Sequence, residues 1–349
     1  MISLHWLTNT DNQAPIFAPM SKSMMDLVAE FPAQMKEALE IANRFELKNF
    51  RDFENVLICG LGGSGIGGTI LSQLIADESN VPVVCSKDYT IPSFVTNKTL
   101  VIACSYSGNT EETLESLEFA IENKAQIASI TSGGKLLEMA RQHGWPCIQI
   151  PSGYPPRAAF GFSITQLFKM AEAFGLITSD WNAQFVTAAN YIETHQERIS
   201  DAGRQLAEAM KTKLPVIYTS TWLEGVGTRW RQQINENAKM LCWHHYYPEM
   251  NHNELVGWRN ENHQLGVIFL TSDLDHPRVV RRMELSEEVY RKYTPHIHHC
   301  AAEGESAIEQ AIFLIHLGDW MSVHLAALRN VDSTEVKIID WLKGELAKF

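Results

Sequence analysis

Two loops in the first third of the chain combine glycines with hydroxyl side chains. In "NVLICGLGGSGIGG", residues 55–68, an apolar run enters a cluster of six glycines. In "VIACSYSGNTEET", residues 101–113, a second apolar run enters a cluster of small polar residues. Glycine loses more conformational entropy on ordering than any other residue, so a cluster of glycines is expected where a ligand or another segment must approach the main chain closely. Helix-start N–H groups and hydroxyls together predict a site for a phosphate monoester. The residues that we expect to bind it are Gly62, Gly63, Ser64, Ser105, Ser107 and Thr110.

Two other interpretations of these loops are weaker. Gly60, Gly62 and Gly65 fit the dinucleotide pattern G-x-G-x-x-G, which expects an acidic residue at the end of the second strand. Asp88 lies slightly beyond that strand, so we predict no nucleotide cofactor. A simple helix N-cap at residue 109 or 110 would explain one hydroxyl of the second loop and leave the other two unexplained.

The elements around the loops predict a parallel sheet. Short, almost continuously apolar segments alternate with helix-length segments in the first half of the chain, which is typical of strands buried on both faces. The predicted strands are "NVLICG", "VPVVCS", "TLVIACS", "AQIASIT" and "PCIQIP". This half is therefore expected to be a doubly wound α/β domain. Its ligands should bind in the crevice above the carboxyl ends of the strands.

The second half repeats this pattern after a mostly helical stretch from about 160 to 210. "LPVIYTS", "QLGVIFLTSD" and "HIHHCAAEG" are predicted strands, and a loop with Gly225 and Gly227 is expected before the helix "TRWRQQINENAKML". The two halves look like copies of one topology. The tail "DSTEVKIIDWLKGELAKF" is predicted to end as a helix, and its apolar spacing suggests docking.

Composition limits the partners. The 349 residues carry a net charge of −12, which argues against nucleic acid or an anionic membrane as the main partner. No apolar stretch is expected to span a bilayer, and the first residues lack the features of a signal peptide. The six cysteines form no CxxC pair and fall mostly in predicted strands, so we expect reduced thiols and a cytoplasmic location.

Five segments together identify a family. "GLGGSGIGG" and "SYSGNTEET" resemble the sugar isomerase (SIS) domain, and "YPPRAAFG", "RWRQQINENAK" and "YYPEMNHNELVGW" resemble bifunctional phosphoglucose/phosphomannose isomerases. The resemblance extends from about residue 50 to the C-terminus. It implies two tandem SIS domains, each a flavodoxin-like αβα sandwich. It also implies a cofactor-free isomerase that converts glucose 6-phosphate and mannose 6-phosphate to fructose 6-phosphate through a cis-enediolate.

That chemistry needs a base, a cation at the developing oxyanion and a group that opens the sugar ring. Glu236, in a helix with several apolar neighbours, matches the family's base; the alternative is a surface carboxylate paired with Lys239 one turn on. Arg157 follows two prolines, and its stiff loop suits a guanidinium that stabilises the enediolate. His252 resembles the family's ring-opening histidine, which the partner subunit contributes, so a homodimer is implied.

Two assignments concern the remaining candidates. Lys343 in the tail matches the family's lysine position best, with Lys337 as the alternative, and Thr334 is a weaker candidate for helping the intermediate rotate. The histidines and glutamates between residues 244 and 254 match no metal-binding spacing, and "HIHH" at 296–299 is explained by alternation in a strand, so we predict no metal.

The expected organisation follows from these segments. It comprises an N-terminal helical extension (1–50), a first SIS domain (51–175), a helical connection (176–210), a second SIS domain (211–330) and a tail that docks near the active site (331–349). Two rival functions remain open, an isomerase of an amino-sugar phosphate and a regulator that binds a sugar phosphate without turnover. The chain lacks a glutaminase-like N-terminal cysteine and a basic helix-turn-helix, which argues against both.

Overall fold

The computed structural model describes residues 22–47 and 50–349, so part of the expected N-terminal extension lies outside it. Five strands of the first half form a parallel sheet in the order β2-β1-β3-β4-β5. All seven residues of β3 are buried, as expected for a strand covered on both faces. The strands are β1 Asn55–Cys59, β2 Val83–Ser86, β3 Thr99–Ser105, β4 Gln126–Thr131 and β5 Cys147–Gln149.

The order of this sheet creates a switch point. The chain runs outward from β1 to β2 and then returns to β3 on the other side, so the loops after β1 and β3 diverge and open a crevice. Cys59 and Ala103 are register partners, which places the two loops side by side. The predicted doubly wound domain is therefore confirmed. Its helices are α1 Met24–Ala29, α2 Phe31–Asn43, α3 Gly62–Leu74, α4 Glu111–Glu122, α5 Gly134–His143 and α6 Phe160–Ala173.

The second half contains a four-stranded parallel sheet in the order β7-β6-β8-β9. Its strands are β6 Leu214–Ser220, β7 Trp243–Tyr247, β8 Leu265–Thr271 and β9 Ile297–Ala301. The order matches that of β2, β1, β3 and β4, so the expected repetition of one topology is confirmed. The remaining helices are α7 Trp181–Thr194, α8 Gln196–Met210, α9 Glu224–Ala238, α10 Pro277–Tyr290, α11 Ala307–Leu328 and α12 Lys337–Leu346.

One boundary prediction was wrong. Gly225 and Gly227 do not form a loop, because α9 already begins at Glu224. A Cβ at Gly225 would lie 2.7 Å from Cγ1 of Ile70 in α3, and one at Gly227 would lie 2.9 Å from Cγ2 of Thr219. These glycines therefore let α9 approach the first domain on one side and its own sheet on the other. The main hydrophobic core is continuous through both halves.

Helix α11 corrects a second expectation. By length and composition this 22-residue helix could cross a membrane, and an 18-residue window within it has a mean hydropathy of 1.5, so an apolar stretch of sufficient length does exist in the described chain. However, 83% of that window is buried inside the fold, where α11 packs against α7, α8 and α9. Burial on all sides explains its composition, as for a central core helix.

Candidate active site

Most glycines of the first loop serve close packing. A Cβ at Gly65 would lie 2.1 Å from the carbonyl oxygen of Gly60, and one at Gly63 would lie 3.1 Å from that of Pro156. Gly62 differs, because it has a φ of +54° and an added Cβ would meet no described atom within 4 Å. The start of α3 therefore packs closely against Gly60 and Pro156, whereas the space next to Gly62 is unfilled by described atoms.

The hydroxyls of the second loop are gathered at the start of α4. Ser105 Oγ lies 2.8 Å from Thr110 Oγ1, and Ser105 Oγ also accepts a hydrogen bond from Gly108 N–H at 3.1 Å. Ser107 Oγ accepts a hydrogen bond from the N–H group of Asn109 at 3.2 Å. Thr110 occupies the N-cap position, yet within the described chain its side chain makes no capping hydrogen bond. The simple capping interpretation therefore does not describe this loop.

The two loops contact each other directly. Tyr106 N–H donates to Ser64 Oγ at 3.0 Å, which ties the start of α3 to the end of β3. Ser64, Ser105 and Pro156 line one small cavity beneath the loops. Ser64 and Ser105 are buried, whereas Ser107 is exposed. The six residues predicted to bind phosphate therefore belong to two adjoining loops at the switch point.

Arg157 lies beside these loops in a short 3₁₀ helix, Pro156–Ala158. Its side chain is 4% exposed, and its Nη1 is 3.4 Å from Oε2 of Glu236 on α9. Burial lowers the pKa of the Arg157 guanidinium, and the nearby Glu236 carboxylate opposes that shift. The structure thus brings together two of the predicted catalytic residues from different domains.

Lys239 does not neutralise Glu236 in the way the alternative interpretation requires. Its Nζ donates to the main-chain oxygens of Glu236 and Glu335, and it lies 3.8 Å from the Glu335 carboxylate. The Glu236 carboxylate, 29% exposed, faces Arg157 instead. Glu236 and Lys239 therefore do not form the exposed side-chain ion pair of the alternative interpretation.

A buried network that the sequence analysis missed supports the Arg157 loop. Arg229 Nη2 donates to Asp319 Oδ2 at 2.6 Å and to the main-chain oxygen of Arg157 at 3.2 Å. Gln233 donates to the other oxygen of Asp319, and the Arg229 guanidinium lies 4.1 Å from the centre of the Phe160 ring. Burial raises the pKa of Asp319, and Arg229 opposes the rise. The one signal available in sequence was the carboxylate of Asp319 in the apolar middle of α11, whereas the other acid of that helix, Glu309, lies in its first turn.

His252 and Lys343 lie apart from this cluster. His252 ends a 3₁₀ helix, Glu249–His252, and is exposed. Among the described residues, no hydrogen bond or ion pair joins its side chain to Arg157 or Glu236. Lys343 and Lys337 are both exposed on α12.

The tail differs from the expectation of a docked helix. Every residue of α12 is exposed in the described chain, including Ile338 at 81% and Trp341 at 64%. The turn before α12 does reach the site, because the carbonyl oxygens of Ser333 and Thr334 accept hydrogen bonds from Arg157 Nη2 at 2.5 and 3.1 Å. The turn, rather than the apolar face of the helix, makes the contact.

The histidines near residue 244 have structural partners. His244 Nε2 lies 2.9 Å from Thr228 Oγ1, and burial lowers the pKa of His244 to about 4. Glu254 accepts hydrogen bonds from Tyr218 and Trp243. Within residues 22–47 and 50–349, no three His, Cys, Asp or Glu side chains are grouped closely enough to hold a metal ion.

Comparison with known proteins agrees with the tandem fold. A sequence model of the SIS domain matches residues 49–143, and the bacterial phospho-glucose isomerase C-terminal SIS domain (bact-PGI_C) matches residues 199–346. A tagatose-6-phosphate ketose/aldose isomerase from Escherichia coli superposes with a TM-score of 0.69 at 16% identity, covering 93% of this chain and 97% of that one. The molecule is thus a tandem SIS-domain protein.

Relatives with closer sequences define the family. A bifunctional phosphoglucose/phosphomannose isomerase from Caldicellulosiruptor bescii is 37% identical over 93% of this chain and 99% of its own length. One from Aquifex aeolicus is 34% identical over 88% of this chain and 96% of its own. This chain belongs to the bifunctional phosphoglucose/phosphomannose isomerase family, and it has the isomerase activity of that class.

Proposed function

We propose that this chain interconverts glucose 6-phosphate and mannose 6-phosphate with fructose 6-phosphate. The observation that carries the proposal is the pairing of Glu236 with the buried Arg157 beside two hydroxyl-rich loops. A carboxylate next to a fixed cation is what proton transfer between neighbouring carbons requires, since the enediolate must be formed and stabilised in one place.

The phosphate group is bound at the switch point of the first sheet. Gly62 and Gly63 offer main-chain N–H groups at the start of α3, and Ser64, Ser105, Ser107 and Thr110 offer hydroxyls. The hydroxyls of Ser105 and Thr110 are hydrogen-bonded to each other. Each hydroxyl can rotate to donate to a phosphate oxygen without moving the backbone.

Glu236 then transfers the proton. It removes the proton from C2 of the open-chain aldose while the electron pair moves onto the carbonyl, which produces the enediolate. The same carboxyl group returns the proton to C1 while the proton of the C2 hydroxyl passes to O1, so that C2 becomes the carbonyl carbon of the ketose. Arg157 Nη1 stabilises the negative oxygen between these steps. Protonation of either face of C2 in the reverse direction gives glucose or mannose 6-phosphate.

Ring opening needs residues outside this cluster, so we propose a homodimer. His252 of one protomer opens the ring in the partner's site, and Lys343 of the tail assists, with Lys337 as the alternative. Leu241 is 79% exposed, and α12 adds an exposed apolar face. Such surfaces are typical of protein interfaces. We place the enzyme in the cytoplasm, in glycolysis and gluconeogenesis, and assign its domains to the ranges predicted above.

The test is a coupled assay of fructose 6-phosphate and mannose 6-phosphate with Glu236→Gln. We expect kcat to fall about 1,000-fold, within the range for loss of a general base, while calorimetry shows fructose 6-phosphate still bound. Glu224→Gln on the same helix is the matched control, because Glu224 bonds Gln73 outside the site. Turnover of glucosamine 6-phosphate alone, or binding without turnover in the unmodified protein, would favour the rival functions.

A further inference from the structure

Asn237 follows Glu236 on α9 and is fully buried. Its Oδ1 accepts a hydrogen bond from Arg157 Nε at 2.7 Å, and its Nδ2 donates to Ser322 Oγ at 2.9 Å. Ser322 lies on α11, where its hydroxyl donates to the main-chain oxygen of Asp319 at 2.7 Å. A continuous chain of hydrogen bonds therefore joins Arg157 to the central helix.

The partners fix the direction of each bond. A main-chain oxygen only accepts, so Ser322 must use its one proton on Asp319. Its lone pair is then left to accept from Asn237 Nδ2. The amide oxygen must face Arg157, because a flipped amide would place an N–H group against the Nε–H group of Arg157. Helix α11 thus determines which end of the Asn237 amide meets the arginine.

These contacts hold the guanidinium on two of its edges. Asn237 holds Nε, and the carbonyl oxygens of Ser333 and Thr334 hold Nη2. All three acceptors are uncharged, so they fix the group without cancelling its charge. The remaining nitrogen, Nη1, faces Glu236 at the longer distance of 3.4 Å. A preorganised cation of this kind stabilises developing charge most effectively.

We propose that Asn237 is a positioning residue that holds Arg157 with Nη1 directed at the reacting oxygen. The kinetic consequence rests on the proposed function, whereas the hydrogen-bonded arrangement can be tested without it. Asn237 does not contact the predicted phosphate loops through any described hydrogen bond. Its loss should therefore change kcat much more than KM.

The kinetic test compares Asn237→Ala with Asn237→Asp. We expect the alanine variant to lower kcat about 30-fold and KM to stay within about threefold, because a misplaced cation weakens only the transition state. The aspartate variant keeps the shape and the acceptor, but its charge neutralises Arg157, so kcat should still fall. A purely structural role predicts that the aspartate variant regains activity. Asn235→Ala is the matched control, since Asn235 Nδ2 donates to the Met240 carbonyl and makes no described hydrogen bond to Arg157.

A second pair of variants, at Ser322, tests the same arrangement without changing Asn237 itself. Ser322→Ala removes the group that orients the amide and leaves the buried Asn237 Nδ2 without its acceptor, so the melting temperature should fall. At a temperature where the variant is folded, we expect kcat to be about fivefold lower. Ser322→Thr keeps the hydroxyl and should retain the activity of the unmodified protein. Equal activity in both variants would contradict the proposed orientation.

The decisive measurement uses guanidinium as a probe. Arg157→Ala leaves a space bounded by the Asn237 amide oxygen and two carbonyl oxygens, so low millimolar guanidinium chloride should raise its melting temperature relative to sodium chloride. In Arg157→Ala/Asn237→Ala the half-saturating concentration should rise about tenfold, the equivalent of one lost charged hydrogen bond. In Arg157→Ala/Asn235→Ala it should not change. An equal affinity in both double variants would overturn the proposal. A protein without isomerase turnover in which guanidinium binding still depends on Asn237 would refute only the proposed function.

Discussion

The two sheets have equivalent switch points that differ in what occupies them. At the first, between β1 and β3, the hydroxyls of Ser105 and Thr110 bond each other and Gly62 stands open. At the second, between β6 and β8, the buried carboxylate of Asp275 accepts hydrogen bonds from Ser272 N–H at 2.9 Å and Trp222 Nε1 at 2.8 Å. The first switch point therefore offers donors to a ligand, while the second has its donors satisfied by the chain itself.

This difference explains how a repeated fold forms one site per chain. In the second domain the Asp275 carboxylate occupies the equivalent position, and the helix that follows β6 carries Glu236, the proposed base. The first domain carries the loops that we propose bind the phosphate, and it also carries Arg157. In the proposed mechanism, the chain therefore binds substrate at one of two similar crevices, and the other domain contributes the base.

The largest expected effect concerns the cation of the first domain. Arg157→Lys should lower kcat about 100-fold, because an ammonium cannot reproduce the contacts with Asn237, Ser333 and the enediolate at once. Steady-state assays of both hexose 6-phosphates check this. A loss below threefold for either substrate would show that the charge of Arg157 is not used in the transition state.

The second prediction breaks the internal anion site. Asp275→Asn replaces one acceptor with a donor that faces Ser272 N–H or Trp222 Nε1, so the free energy of unfolding should fall by about 2 kcal/mol. Urea denaturation measures the loss. The KM for fructose 6-phosphate, determined at a temperature where the variant is folded, should remain unchanged. A large rise in KM would mean that the second switch point takes part in substrate binding.

The third prediction compares the serines of the two switch points directly. Ser105→Ala should raise KM about tenfold, the loss of one hydrogen bond to a charged phosphate, with little change in kcat. Ser272→Ala should leave KM as it is, because Ser272 Oγ is bonded to Gln310 within the second domain. Equal changes in KM would contradict the assignment of the phosphate to the first sheet.

How much of this arrangement is predictable from sequence depends on how local the causes are. The buried run of β3 and the change from strand to helix at the glycines are local patterns, and both were predicted correctly, although α3 already begins at Gly62 and includes most of the predicted loop. Strand β7 was missed, because "WHHYY" has no apolar run and is a strand only through its pairing with β6. Asn237 and Asp319 were missed because their partners lie about 80 to 90 residues away, as with Arg157 and Arg229.

The smallest expected effect is a pH dependence of stability located in the second sheet. Burial lowers the pKa of His244 in β7 from 6.5 to about 4, so the unfolded chain binds this proton more readily than the folded chain. Stability from this group is complete above pH 6.5 and is lost as the pH falls towards 4. Lowering the pH from 7.5 to 5.5 should therefore reduce the free energy of unfolding by about 1 kcal/mol through this group. Urea denaturation of His244→Gln should show a correspondingly smaller loss over the same interval, and an identical loss would exclude His244 as the cause.

The central claim concerns where a hexose phosphate binds, and a crystal structure with fructose 6-phosphate tests it most directly. Such a structure should show the phosphoryl oxygens within hydrogen-bonding distance of Ser105, Ser107 and Thr110, with C1 and C2 between Glu236 and Arg157. A phosphate bound at Ser272 and Trp222, or a sugar whose first two carbons lie far from the Glu236 carboxylate, would contradict it.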